Sequence, residues 1–189
     1  MDNGLDNADL RLAQRLADLR QQRAWSLEEL AQRTGLSRAT LSRVERAETS
    51  PTASLLNRLC AAYGLTMSRL LSEIEDEPPE LLRPQQQPVW VDRASGFHRR
   101  SVSPPAALYK AEFIEARLDA GAQIDYDLPS IPALEHHLWL LSGQLELTLE
   151  GRVFRLSSGD CLRYRLFGAS RFHVPGDEPA HYTLVICRP

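Results

Sequence analysis

In the stretch Ser37-Arg38-Ala39-Thr40-Leu41-Ser42-Arg43-Val44-Glu45, a serine stands directly before a short run with helical spacing. The Ser37 hydroxyl can accept from an orphan backbone N–H of the first turn, so an N-cap is predicted there. Leu41 and Val44, three apart, share the buried stripe, and Arg38, Ala39, Ser42, Arg43 and Arg46 are left to the solvent side. Working outward, Ser26-Leu27-Glu28-Glu29 has the Ser-x-x-Glu spacing of a capping box. The helix it opens runs through Leu30 and Ala31 to Thr34, and Gly35 supplies the left-handed residue that ends it. Two short helices joined by a tight Gly-Leu turn, the second with arginines on its open face, describe a helix-turn-helix.

The flanks complete a five-helix head. Leu12, Leu16 and Leu19 give a first helix over about Asp9 to Arg23, and Trp25 after it is expected to plug the bundle. Beyond the loop at 47–51, Thr52 caps a fourth helix that ends at Gly64, and Thr66 caps a fifth.

Charge is divided along the chain. The net formal charge is −3, yet residues 10–70 carry ten arginines against five acids. A phosphate-binding surface needs only one basic face. Cys60, Cys161 and Cys187 are far apart, without metal or redox spacing; reduced thiols and a cytoplasmic location are expected. No stretch approaches the roughly 20 apolar residues of a membrane helix. Residues 1–9 are acidic and small, unlike a signal sequence, and are expected to form a flexible tail.

Between Glu73 and Pro88 an acid run and four prolines replace helical periodicity, so a linker is expected at 74–88, dividing a head at 10–73 from a second domain at 89–189. There the period becomes two. Strands are predicted from Val89 and over 108–116, 136–141, 144–149, 152–156, 161–166, 170–174 and 181–187, with Glu150-Gly151 as a hairpin turn. Such a run of short strands means an all-β sandwich or small barrel. Gly96-Phe97-His98-Arg99-Arg100 is taken as a solvated turn.

The run Ser26–Arg46, followed by Ser50-Pro51-Thr52 and Leu55-Leu56-Asn57-Arg58-Leu59, resembles the Cro/repressor type (XRE family) of helix-turn-helix transcription regulators over residues 10–73. In addition, Leu140-Leu141-Ser142-Gly143-Gln144-Leu145-Glu146-Leu147 with Leu156-Ser157-Ser158-Gly159-Asp160 resembles the paired motifs of cupin barrels, over roughly 105–187. Together they imply an N-terminal all-α bundle of the lambda-repressor kind and a C-terminal all-β cupin-like barrel.

The first resemblance implies double-stranded operator DNA as partner. Arg38 and Arg43 would read base edges with Thr40 or Ser42 assisting, and Ala39 would touch a thymine methyl. Ser26, Leu27 and Ser37 would lie near phosphate, and Arg46 would contact it. It also implies an ion pair between Arg20 of helix one and Glu45, and a homodimer on two half-sites. The second resemblance implies a site inside the barrel. Of four metal-ligand positions in cupins, one falls on His136, two fall within Pro129-Ser130-Ile131-Pro132, and the last falls on Ser170. One imidazole does not make a divalent-metal site, so no metal, cofactor or catalytic residue is expected. The barrel is instead expected to take a small-molecule effector, with His136 and Ser170 inward and Tyr164 or Arg163 at the mouth. Two other readings stay open. One is a metal-dependent cupin enzyme with an accessory DNA-binding module, its site built from His136 or His137 with His173 or His181. The other is an antitoxin-type autorepressor.

Overall fold

The structure is a computed structural model that describes residues 7–71, 79–106 and 109–189. Helix α1 (Asn7–Gln22) is followed by α2 (Leu27–Thr34), α3 (Arg38–Glu45), α4 (Ala53–Tyr63) and α5 (Met67–Leu71). Their ends follow local chemistry. Ser26 forms the full capping box with Glu29, Ser37 accepts from the Thr40 N–H and Thr52 from that of Leu55. Gly35 and Gly64 close α2 and α4 at φ of 67° and 66°, a conformation that suits a residue without Cβ. Helix α1 starts two residues before the expected Asp9. Residues 1–6 of the tail expected at 1–9, the first part of the linker and residue 108 lie outside the described residues.

Leu16, Leu30, Leu41, Leu56, Leu59 and Leu70 fill the core of the head, each no more than 1% exposed. Trp25 stacks on Tyr63 with ring centroids 5.7 Å apart, and the Arg33 guanidinium lies 4.2 Å above the indole. That tryptophan seals the bundle.

After a single 3-10 turn at Pro84–Gln86 the chain is β-structured. The strands are β1 (Val89–Asp92), β2 (Phe97–Ser103), β3 (Ala111–Leu118), β4 (Gln123–Tyr126), β5 (Leu134–Ser142), β6 (Gln144–Leu149), β7 (Arg152–Ser157), β8 (Cys161–Leu166), β9 (Ser170–His173) and β10 (Ala180–Cys187). One sheet has the order β1-β2-β3-β10-β5-β8, the other β4-β9-β6-β7, and the strand pairs are antiparallel. Phe172 of the smaller sheet stacks on Tyr182 of the larger at 6.1 Å, so the sheets face each other over a shared core. Glu150 and Gly151, both at positive φ, make the β6–β7 hairpin turn.

Two strands were not expected. The stretch read as a solvated turn at 96–100 is mostly β2, with Phe97 at 5%, Arg99 at 3% and Ser101 at 2% exposure. The larger sheet has two more strands than the one facing it. The surplus inner surface, on β1, β2 and the start of β3, is covered by the head. Asp92 accepts from the Ala53 N–H that opens α4 (2.8 Å), and Glu112 accepts from the Thr66 hydroxyl (2.9 Å). Arg99 donates to the Ser68 hydroxyl of α5. Asn57 donates to the Leu128 carbonyl (2.7 Å), and Arg58 pairs with Asp127 (2.6 Å). Polar side chains face inward on β2 because what covers them is partly polar. Strand β4 escaped notice for another reason: in Gln123-Ile124-Asp125-Tyr126 only Ile124 is a plainly apolar inward residue.

Arg20 and Glu45 make a two-pronged pair, Nε to Oε1 and Nη2 to Oε2, both at 2.8 Å, and Arg20 also donates to the Trp25 carbonyl. Their side chains are only 16% and 9% exposed, so removing one partner strands the other. Arg20→Ala is expected to destabilise the head by roughly 1–3 kcal/mol, and Arg20→Leu with Glu45→Leu to recover part of that loss. Urea unfolding of the three variants checks it; equal midpoints for wild type and Arg20→Ala would remove the pair from the account.

Candidate nucleic-acid interface and β-domain interior

Helix α3 hangs on three anchors. Leu41 and Val44 are buried at 1% and 2% exposure, Ser37 caps the first turn, and Glu45 is held by Arg20 of α1. At about 100° per residue, Arg38, Ser42, Ala39 and Arg43 follow one another around an arc of roughly 140° on the opposite side. Arg38, Ala39 and Arg43 are exposed and Ser42 half-buried. Thr40 sits beyond the edge of that arc. Its hydroxyl lies 2.8 Å from Ser37 Oγ and its N–H donates to the same oxygen, so both polar groups are engaged in the cap.

Arg46 is the C-cap of α3, and its guanidinium meets Glu48 at 3.1 Å in an exposed ion pair. Exposed pairs of this kind are weak, and a phosphate could displace Glu48 at little cost. Ser26 is exposed, and its hydroxyl and N–H are both engaged with Glu29; Leu27 is half-buried at the first position of α2. The β domain is bonded to α4 and α5, and among the described residues α3 makes no hydrogen bond to it. The arginine-bearing arc is therefore unobstructed.

In the β domain, His136 points inward at 7% exposure and Ser170 likewise at 7%. His136 Nδ1 is 3.1 Å from the Tyr164 hydroxyl, the rings meeting edge-on. Burial pulls the imidazole pKa down from 6.5 to about 4, so the ring is neutral near pH 7. Its Nε2 is buried and has no partner among the described residues. Burial pushes the Tyr126 and Tyr182 phenols well above their usual range.

Arg163 is a correction. It is exposed on the outer face, opposite His137 on β5, because neighbours on a strand point to opposite sides and Tyr164 takes the inner one. The alternative histidine set fails on the same ground. His137 pairs with Glu135 (3.1 Å), His173 with Glu146 (3.4 Å) and His181 with Glu115 (2.7 Å), and each of the three is partly exposed while His136 is buried within. Among the described residues no three His, Cys, Asp or Glu side chains come together as metal ligands. With its Nδ1 at the Tyr164 hydroxyl and no second metal-binding side chain gathered with it among the described residues, His136 does not fit the metal site that the cupin resemblance implies.

The residues that the chain's pattern did not flag are Arg99 and Glu112, at 3% and 2% exposure. Burial lowers the Arg99 pKa, with Glu112 the largest opposing influence. Arginine in a strand facing another domain has no periodic signature.

A model of the helix-turn-helix domain matches residues 11–71. Along nearly its whole length the chain is similar to the HTH-type transcriptional regulator SutR of Escherichia coli K12, 28% identical over 98% of this chain and 99% of that protein. In fold it is similar to an HTH_3 family transcriptional regulator from Vibrio cholerae, with a TM-score of 0.78, 22% identity, and 96% of this chain and 97% of that one covered. A weaker likeness of fold is to Fe(II) HppE, with a TM-score of 0.50, 13% identity, and 96% of this chain and all of that one covered. No helix among the described residues is long and apolar enough to cross a membrane. Residues 11–71 thus form a helix-turn-helix head, and along nearly its whole length, the two-sheet β domain included, the chain is similar to HTH-type transcriptional regulators.

Proposed function

We propose that the protein is a sequence-specific transcription regulator, without catalytic activity, that reads operator DNA with α3 and senses a small molecule inside its β domain. The observation that carries the reading is the arc of Arg38, Ser42, Ala39 and Arg43, exposed on a helix that the β domain leaves free. In the major groove, Arg38 and Arg43 take base edges, Ala39 meets a thymine methyl, and Ser42 supplements them. Thr40 can assist only by giving up its cap bond to Ser37. Ser26, Leu27 and Ser37 bring helix N-termini toward phosphate, where backbone N–H groups and the helix dipole favour an anion. One small head gives limited affinity, which favours a homodimer on half-sites about 34 Å apart.

Inside the β domain, the unpartnered His136 Nε2, with Tyr164 and Ser170, is the group that favours an effector over plain packing. A neutral imidazole offers a hydrogen bond there, not a charge. The enzyme reading has the likeness of fold to Fe(II) HppE in its favour, and a stoichiometric metal in the purified protein would restore it.

Against the sequence selected from a random duplex pool, Arg38→Ala and Arg43→Ala are each expected to lose about 1–3 kcal/mol and to relax base preference at one position. Unchanged selection by both variants would overturn the assignment. Arg46→Ala should weaken binding to all duplexes alike and reduce the slope of log affinity against log salt by about one phosphate contact.

His136 also sets an acid limit. Between pH 6.5 and about 4 the unfolded chain takes up a proton that the folded imidazole refuses. Its contribution to stability is therefore complete above pH 6.5 and declines as pH falls toward 4, by an amount on the order of 3 kcal/mol. Urea midpoints at pH 7 and pH 4.5 should converge more closely in His136→Phe than in wild type. The same pH dependence in both would mean that His136 is not buried neutral.

A further inference from the structure

Along the seam between head and β domain runs a groove of about 1210 Å³, walled by α1, by α5, by residues 79–88 and by β1 and β2. Four of its charged residues cancel, Arg11 and Arg15 against Asp18 and Glu80. The charge left over is Arg99, 3% exposed. Arg99 Nη1 donates to Ser101 Oγ at 3.4 Å and Nη2 to Ser68 Oγ, and no carboxylate among the described residues lies within ion-pairing distance of it. The Glu112 carboxylate is turned to the Thr66 hydroxyl, at 2.9 and 3.1 Å from its two oxygens. A guanidinium has five N–H donors, and a buried one is costly unless its charge is met. Among the described residues its two hydrogen-bond partners are serine hydroxyls, which carry no charge to balance it. Leu12, Leu70 and Trp90 form apolar wall beside it.

We propose that this groove binds a small organic carboxylate whose charged end pairs with Arg99 and whose short apolar body lies against Leu12, Leu70 and Trp90. A guanidinium matches a carboxylate two-pronged, and a pocket where two domains meet, mostly apolar with one fixed polar group, is the usual build of a small-molecule site. His136, Tyr164 and Ser170 are not among the residues that line this groove, and the proposal does not require an effector at His136. It has a mechanical consequence. One wall belongs to the head and the other to the β domain, so a bound carboxylate favours whichever spacing of the two best fits it. By reciprocity, any partner of the head that favours a spacing alters carboxylate affinity by the same factor.

Thermal unfolding of the full chain tests it, with hexanoate as the probe and hexylammonium and inorganic sulfate as counterparts. Hexanoate at tenfold excess over its Kd should raise Tm by about 3–6 °C, with no rise for hexylammonium and a smaller one for sulfate. Arg99→Gln should abolish the response. Ser101→Asp should abolish it too while keeping the fold, because it places an internal carboxylate beside the guanidinium; it keeps the test decisive if Arg99→Gln fails to fold. His136→Phe should respond as wild type does. Absence of a hexanoate response, an equal response to hexylammonium, or a response surviving in Ser101→Asp would overturn the proposal. A sulfate response as large as that of hexanoate would overturn the organic-carboxylate assignment. A response lost in His136→Phe but kept in Arg99→Gln would move the site to the β-domain interior and overturn it as well. None of these outcomes touches DNA reading by α3.

Discussion

The Asp92 carboxylate accepting from the backbone N–H of Ala53 is the contact around which the two halves of the chain are arranged. It also accepts from the Ala94 and Ser95 N–H groups and from the Ser95 hydroxyl, so one side chain both closes the β1–β2 turn and caps α4 from outside the head. At 4% exposure the carboxylate cannot be hydrated instead. Separating the domains would therefore take from the first turn of α4 an acceptor that water would have to replace. The Thr66–Glu112 and Ser68–Arg99 contacts have the same character. Each places a charge of the β domain against a hydroxyl or N–H of the head. Such contacts add little net stability, because both partners lose water, but they penalise any other docking angle. Leu and Val across the seam would have allowed sliding; these groups set a register.

Local signals in the head were legible because each helix end is decided within four residues. Ser26 with Glu29, Ser37, Thr52, Gly35 and Gly64 need no distant partner to act, and all appear where the sequence puts them. The Arg20–Glu45 pair could be anticipated only through resemblance, since nothing in the spacing of residues 25 apart requires them to meet. Central strands were legible where alternation is plain, as in Leu145 and Leu147 or Leu184 and Ile186. Strand β2 was not. Its inner residues Phe97, Arg99 and Ser101 include a cation and a hydroxyl, and that mixture makes sense only once α5 lies over them. The sequence pattern of a sheet face reports what packs against it, and here the packing partner is another domain.

The interior was legible in part for the same kind of reason. His136, Tyr164 and Ser170 face inward, and Tyr164 could have excluded Arg163 by alternation alone. Only contact information shows that His136 spends Nδ1 on Tyr164 and leaves Nε2 without a partner, a detail of side-chain direction that no periodicity encodes.

The route by which a filled β domain would reach DNA follows from these constraints. Among the described residues helix α3 has no hydrogen bond to the β domain, so an influence would pass through α4 and α5, which the seam holds, and through the shared core at Leu41, Val44, Leu56 and Leu59. Because Glu45 ties α3 to α1, a displacement of the head would carry α3 with it. A ligand that shifts α5 against β2 therefore rotates the whole head. In a dimer, rotation of two rigid heads changes their separation, and the spacing of half-sites on DNA is fixed by the double helix. Regulation of this proposed kind would act on the geometry between heads and leave the proposed base contacts of each head intact.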